Sequence, residues 1–355
     1  MAPLPRLEAH GASKTFGPTT VLQDAHLVVQ PGEIHSLVGQ NGSGKSTLVK
    51  ILTGYHSPDP GMTLAVDGRP LALPVQWRAA QAAGVSVVHQ DMGLLDHLTV
   101  SENIGIGGFV RSRLTGRIDW RRQDEVSAEV LARLDVPVHP RALVGDLAPA
   151  HRAGVAIARA LRGTVPGEGL MILDEATRAL PRDDLARVHD LLGRVVASGT
   201  SVLMVSHNLE EVLTISQRVT VLRDGRVAGA GLPTAELAES DLARLMLGKT
   251  VDAVVRVPST QELPTGPAAE IAGLVVDGRP LSITVGRGEI VGLTGLPGTG
   301  FERVPYLLAG AIRAEAGTVT TPVRTVDLTR AQVADTLAAG IALVPERRVR
   351  DGLAV

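Results

Sequence analysis

The sequence has no cysteine, which excludes disulfides and thiolate metal sites. Aromatic residues make up only 2% of it, so any core must be built from Val, Leu, Ile and Ala. No apolar run reaches the ~18 residues of a membrane-spanning helix. The opening Met1-Ala2-Pro3-Leu4-Pro5-Arg6 lacks the apolar h-region of a secretory signal. An excess of positive charge is missing too. The formal net charge is −2, and bulk electrostatics gives no support to a nucleic-acid partner. The ten histidines include no His-Glu-x-x-His motif and no paired spacing, so no metal site built on histidine is expected. Material for burial is ample: 44% of the 355 residues are apolar, and that length accommodates about two domains.

Glycine is plentiful, at 39 residues, and one cluster organises the chain. Gly39-Gln40-Asn41-Gly42-Ser43-Gly44-Lys45-Ser46-Thr47 fits G-x-x-x-x-G-K-[ST], the phosphate-binding P-loop. Glu33 to Val38 reads as a buried strand before it, and Ser46 to Thr53 as a helix after it. The glycines free the backbone to wrap its N–H groups around an oxyanion. The helix N-terminus adds its dipole. Lys45 is expected to place its charge on the β- and γ-phosphates, and Ser46 to offer its hydroxyl to Mg²⁺.

Other candidates lie at strand ends. Leu170-Met171-Ile172-Leu173-Asp174-Glu175 is four apolar residues followed by two acids. It reads as a central parallel strand, and ligands sit at the C-terminal ends of such strands. Asp174 is expected to hold Mg²⁺ through water, and Glu175 to accept a proton from the attacking water. Gln90 ends the strand Gly84–His89 and either turns its amide oxygen toward Mg²⁺ and water or caps the strand in solvent. His207 follows the strand Ser201–Val205, where it can touch the γ-phosphate. Phe16 either stacks on a purine face or is an ordinary half-buried ring. Val155, Ala158 and Leu161 share one face of a helix entered after Asp146, and Pro181 fits the first turn of another.

The chain also repeats itself. Pro31 to Leu48 matches Arg287 to Val304 at an offset of 256 residues, which also carries Gly84 to Gly340 and Gln90 to Glu346. In the second copy Phe301 and Glu302 replace Lys45 and Ser46, while Gly295, Gly298 and Gly300 keep the loop glycines. A ring and a carboxylate there cannot balance a triphosphate. Residues 1–249 are therefore expected to form one domain, with a helical subdomain at about 99–160. Residues 250–269 are read as a linker, and 270–355 as the incomplete start of a degenerate second copy.

Phe16, the P-loop, Gln90, a signature region, Asp174-Glu175 and His207 stand in an order that resembles the ATPase subunits of ABC transporters. Two fused copies with an altered second P-loop look like the ATPases of bacterial importers of simple sugars such as ribose, galactose or xylose. Ser101-Glu102-Asn103-Ile104, Ile118-Asp119-Trp120, Val344-Pro345-Glu346-Arg347 and Arg350-Asp351-Gly352-Leu353 are similar to that group as well. The resemblance implies an α/β P-loop NTPase of ABC type: a mostly parallel sheet flanked by helices, an N-terminal antiparallel β part and a helical subdomain. It implies ATP and Mg²⁺ as ligands, with Ser46, Gln90 and Asp174 on the metal and Glu175, His207 and Gln90 in hydrolysis. It also implies membrane permease subunits, a sugar-binding protein reached through them, a second nucleotide-binding half, and a peripheral place on the cytoplasmic face of the membrane. Two stretches depart from the pattern. The LSGGQ signature is here Leu147-Ala148-Pro149-Ala150-His151, and Pro181 stands where an aspartate is usual. The alternative is a truncated remnant or regulatory module that binds ATP without hydrolysing it.

Overall fold

The computed structural model describes residues 4–165, 167–177, 180–248, 266–296 and 299–345. The chain divides into two compact units, Met1–Val254 and Val255–Val355. In the first, Leu7–Phe16 (β1) and Thr19–Val29 (β2) mix buried apolar positions with exposed polar ones, the pattern of an antiparallel sheet with one wet face. Ile34–Gly39 (β3) is buried at every position and leads through the glycine loop into Lys45–Leu52 (α1). Thr63–Val66 (β4) and Arg69–Pro70 (β5) complete a sheet of order β2-β1-β4-β5.

Trp77–Ala82 (α2) and Val85–Val88 (β6) precede three helices, Val100–Gly105 (α3), Trp120–Arg133 (α4) and Pro149–Leu161 (α5). Helix α3 starts where it does because Thr99 and Glu102 form a capping box, which satisfies two otherwise orphaned backbone donors. Val155, Ala158 and Leu161 of α5 are buried, as their spacing predicts. The unit continues with Leu170–Asp174 (β7), Arg182–Ala197 (α6), Ser201–Val205 (β8), Leu209–Ile215 (α7), Arg218–Arg223 (β9), Arg226–Pro233 (β10) and Glu239–Leu247 (α8). Pro181 is the N-cap of α6, one residue ahead of the first turn that the sequence suggested for it.

The second sheet has the order β10-β9-β3-β8-β7-β6 and is parallel except for the edge strand β10. Its central strands β3, β7 and β8 are mostly apolar and buried at nearly every position, His35, Ser36 and Ser201 included, because both faces are covered. Leu37, Ile172 and Leu203 pack with α1 and the antiparallel sheet. Met171, Leu173 and Met204 pack with α5 and α6 on the other face. This arrangement brings the C-terminal ends of β3, β8, β7 and β6 to one edge.

In the second unit, Pro267–Val276 (β11) and Arg279–Gly286 (β12) pair antiparallel. Val304–Leu308 (α9), Thr318–Thr320 (β13), Thr325–Asp327 (β14) and Val333–Ala338 (α10) follow, in a sheet of order β12-β11-β13-β14. Strand β11 begins inside the stretch read as a linker, whose residues 250–265 lie outside the described ones. Gly298, Glu346, Arg347 and Arg350 to Leu353 also lie outside them. Residues 290–296, the repeat of β3, form no strand: β3 takes ladder bonds from β8 and β9, and no described strand of the second unit lies beside this segment. Ile290 is left 97% exposed.

Candidate active site

The loop after β3 can close only on glycine at two points. Gly44, the N-cap of α1, has φ of 101°, and a Cβ on it would lie 2.6 Å from Leu22 Cδ2. A Cβ on Gly39 would come within 2.3 Å of the Leu222 carbonyl oxygen. No side chain caps α1, so the amides of its first turn remain available to an anion. Ser43 Oγ is buried with no hydrogen-bond partner among the described residues, an orphaned polar atom inside the loop. Lys45 is buried and donates from Nζ to the carbonyl oxygens of Gly39 (2.8 Å) and Gln40 (2.9 Å). Burial lowers its pKa, while the carboxylates of Glu175 and Asp174 pull the other way. The ammonium therefore has two negative groups in range and contacts two loop carbonyls directly. Gln40, Asn41, Gly42 and Ser46 are exposed and Thr47 half-buried, so the outer lip of the loop is open to a ligand.

Asp174 closes β7, opposite Val205 of β8. Burial, followed by repulsion from Glu175, raises its pKa against the opposing pull of His89, Lys50 and Lys45. Glu175 has left-handed backbone geometry, φ 51°, an uncommon conformation for a residue with a side chain. Its N–H donates to Val205 O at 3.1 Å, and its Oε1 lies 3.7 Å from His207 Nδ1. Gln90 is exposed, two residues past the end of β6. Topology thus brings the P-loop, Asp174, Glu175, His207 and Gln90 to one sheet edge. Ser46 hydroxyl, Gln90 amide oxygen and Asp174 carboxylate are hard oxygen donors, the set that Mg²⁺ prefers. Among the described residues no three His, Asp or Glu side chains cluster as a metal site of their own.

Phe16 ends β1 at the turn into β2 and is 41% exposed. Lys14 Nζ lies 5.1 Å from its ring centroid, and His56 packs against it edge-on at 5.2 Å. His56 and Lys14 did not figure in the sequence reading. A usable signal was present: Tyr55-His56 follows α1 directly in a chain with very few rings. Burial, then the charges of Lys50 and Lys14, lowers the His56 pKa and favours the neutral imidazole. The signature region begins α5. Ala148 is its N-cap with no side-chain cap, and Pro149 occupies the first turn, so one backbone donor is missing from that end.

A second copy of the loop is recognisable in the other unit. Gly300, with φ of 80°, caps the short turn Phe301–Arg303 as Gly44 caps α1. A Cβ on Gly295 would meet the Phe301 ring at 2.8 Å. The ring folds back over the loop where, in the first unit, the Lys45 ammonium reaches Gly39 O.

Residues 22–178 match the family model described as "ABC transporter". The chain is 37% identical over 350 residues to "Ribose import ATP-binding protein RbsA 1" of Rhizobium meliloti, covering 98% of this chain and 67% of that protein. It is 38% identical over 356 residues to "Ribose import ATP-binding protein RbsA 2" of Streptomyces avermitilis, covering 99% and 68%. It therefore spans about two thirds of the length of these relatives. The solved structure of a nucleotide-free ATP-binding cassette from an ABC transporter superposes with a TM-score of 0.57 at 21% identity, over 70% of this chain and 98% of that one. Its cassette fold, with the P-loop at the shared edge and near-complete alignment to sugar-import ATP-binding proteins, makes this chain a member of the ABC transporter family of ATPases.

Proposed function

We propose that the chain binds Mg-ATP at the P-loop, hydrolyses it at the β7–β8 edge, and so energises import of a simple sugar through a separate membrane permease. The convergence of Lys45, Asp174, Glu175 and His207 on one sheet edge carries this reading. The loop amides and Lys45 bind the phosphates, with Lys45 exchanging its contacts to Gly39 O and Gln40 O for phosphate oxygens. The buried Ser43 hydroxyl gains the partner it lacks. Ser46, Gln90 and Asp174 hold Mg²⁺, which when bound neutralises charge on the phosphate oxygens. The raised pKa of Asp174 fits such a place, because a cation relieves both its burial and its repulsion from Glu175. Glu175 takes a proton from water, and His207, held at its carboxylate, contacts the γ-phosphate. Phe16 supports the purine, with His56 and Lys14 around it.

The sugar comes from the relatives' names, which read ribose import; the separate permease, and a sugar-binding protein reached through it, rest on the family resemblance. No described helix is long and apolar enough to cross a membrane, which agrees with a peripheral subunit on its cytoplasmic face. We assign residues 1–249 to the nucleotide-binding domain, 250–269 to a linker and 270–355 to the start of a degenerate copy. A second nucleotide-binding half would complete the ATP site from across the cleft. A remnant without hydrolysis is not favoured, since the relatives are import ATP-binding proteins. The test is Glu175→Gln in the assembled transporter. Loss of the base should lower steady-state ATPase turnover by about 10²-fold or more with ATP still bound. Turnover near the parent rate would overturn the assignment.

A further inference from the structure

His207 and Glu175 sit on short connections, and neither connection is fixed by the sheet alone. A buried carboxylate ties both down. Glu211, in the first turn of α7, has a side chain only 3% exposed. It accepts a hydrogen bond from Ser206 Oγ at 2.8 Å, and Ser206 immediately precedes His207. Its other oxygen lies 3.3 Å from His189 Nε2 on α6. Thr177, two residues after Glu175, faces the same carboxylate and favours its ionised form. The Asn208 N–H donates to Ser206 Oγ at 3.1 Å, and the Glu211 N–H donates to Asn208 Oδ1 at 3.2 Å. His207 is therefore held between two residues that are themselves anchored on Glu211.

Burial opposes ionisation of Glu211, but His189, Thr177 and Ser206 together outweigh it and hold its pKa below the usual carboxylate value. An ionised carboxylate is costly to bury. A purely packing role here would be filled by an apolar side chain. Glu211 itself lines a cavity of about 420 Å³ together with Glu175, His207, Thr177, Ser206 and His189. The strained backbone at Glu175 also needs surroundings that hold it.

We propose that Glu211 is a positioning residue of the hydrolytic site: through Thr177 and Ser206 it keeps Glu175 and His207 paired at the γ-phosphate position. It rests on the reading of Glu175 and His207 given above. Glutamine at this position keeps the shape but presents an amide N–H₂ where one of the incoming donors needs an acceptor. His207 then loses its fixed place, while the P-loop, on β3 and α1, is untouched.

The experiment measures Mg-ATP and Mg-ADP dissociation constants by titration calorimetry on the full chain, for the parent, Glu211→Gln, Ser206→Ala and His207→Ala. The readout is the ratio of ADP to ATP dissociation constants, which a general loss of stability would not move selectively. Glu211→Gln should lower the ratio about tenfold, toward that of His207→Ala, with Mg-ADP affinity within about twofold of the parent. Ser206→Ala should move the ratio in the same direction and stands in if Glu211→Gln does not fold. If His207→Ala lowers the ratio but the folded Glu211 or Ser206 variant keeps the parent value, the inference is overturned and the site reading stands. If His207→Ala leaves the ratio unchanged, the reading of His207 is overturned and this inference with it.

Discussion

Two charges at the P-loop edge, the buried Lys45 and the half-buried Asp174, are each disfavoured by their surroundings. Lys45 has its pKa lowered, and Asp174 has its pKa raised, in each case chiefly by burial. For Asp174 the sign is definite. The folded chain takes up this proton at a higher pH than the unfolded chain, so stability falls as pH rises from the unfolded pKa through the folded one. Above that window the ionised carboxylate is a constant penalty. Asp174→Asn removes the charge at nearly constant volume. It should raise the melting temperature at pH 7 by about 2 °C while weakening Mg²⁺-dependent ATP binding. Calorimetric melting with and without Mg-ATP checks both halves. A drop in melting temperature would show that Asp174 is held by structural bonds and not poised for a cation. Such opposition of stability and activity is common where a site is preorganised for charge it does not itself contain.

Helix ends decide what the elements can offer. Helix α1 begins with free amides and a left-handed glycine, and it is built to meet an anion. Helix α5 begins with Ala148 and Pro149, which supply neither a side-chain cap nor a full set of donors. Ala148→Ser restores a capping oxygen for the second or third amide. It should stabilise the chain by about 0.5–1 kcal/mol, read as a rise in denaturant midpoint at unchanged slope. No rise would mean that the start of α5 is already satisfied by other means. At this scale the sequence was highly legible. Strand–glycine loop–helix around Lys45, the apolar strand before Asp174 and the buried stripe Val155–Ala158–Leu161 all follow from period and composition. What it could not show was the hub at Glu211. Thr177, His189, Ser206 and Glu211 are spread over 35 residues of chain, and no local pattern marks four polar residues as neighbours.

For the whole molecule, the two glycine loops share a left-handed glycine before the following turn, Gly44 and Gly300, and are opposite in chemistry. Lys45 points an ammonium at its loop, whereas Phe301 folds a ring over the equivalent glycine and Glu302 adds negative charge at the exposed rim. One Mg-ATP per chain is therefore the expected stoichiometry in titration calorimetry. Lys45→Ala should weaken that binding by about tenfold or more, since a charge-assisted contact to phosphate is worth ~1.5–3 kcal/mol. Two bound nucleotides per chain, or binding indifferent to Lys45, would contradict this.

The sequence by itself determined the family, the phosphate loop and the identity of the charged groups, because each is written in a short contiguous stretch with one physical purpose. It also exposed the loss of charge in the repeat, since that is a substitution at a matched position. Only the tertiary structure decided which strand ends share an edge, that Phe16 lies against His56 and Lys14, and that the buried Glu211 carboxylate meets Ser206 and His189 beside the connections that carry Glu175 and His207. Most of those join residues far apart in the chain, as Phe16 with His56 and His189 with Glu211 do. They arise when parallel strands from distant segments are laid side by side, and no local period encodes that order.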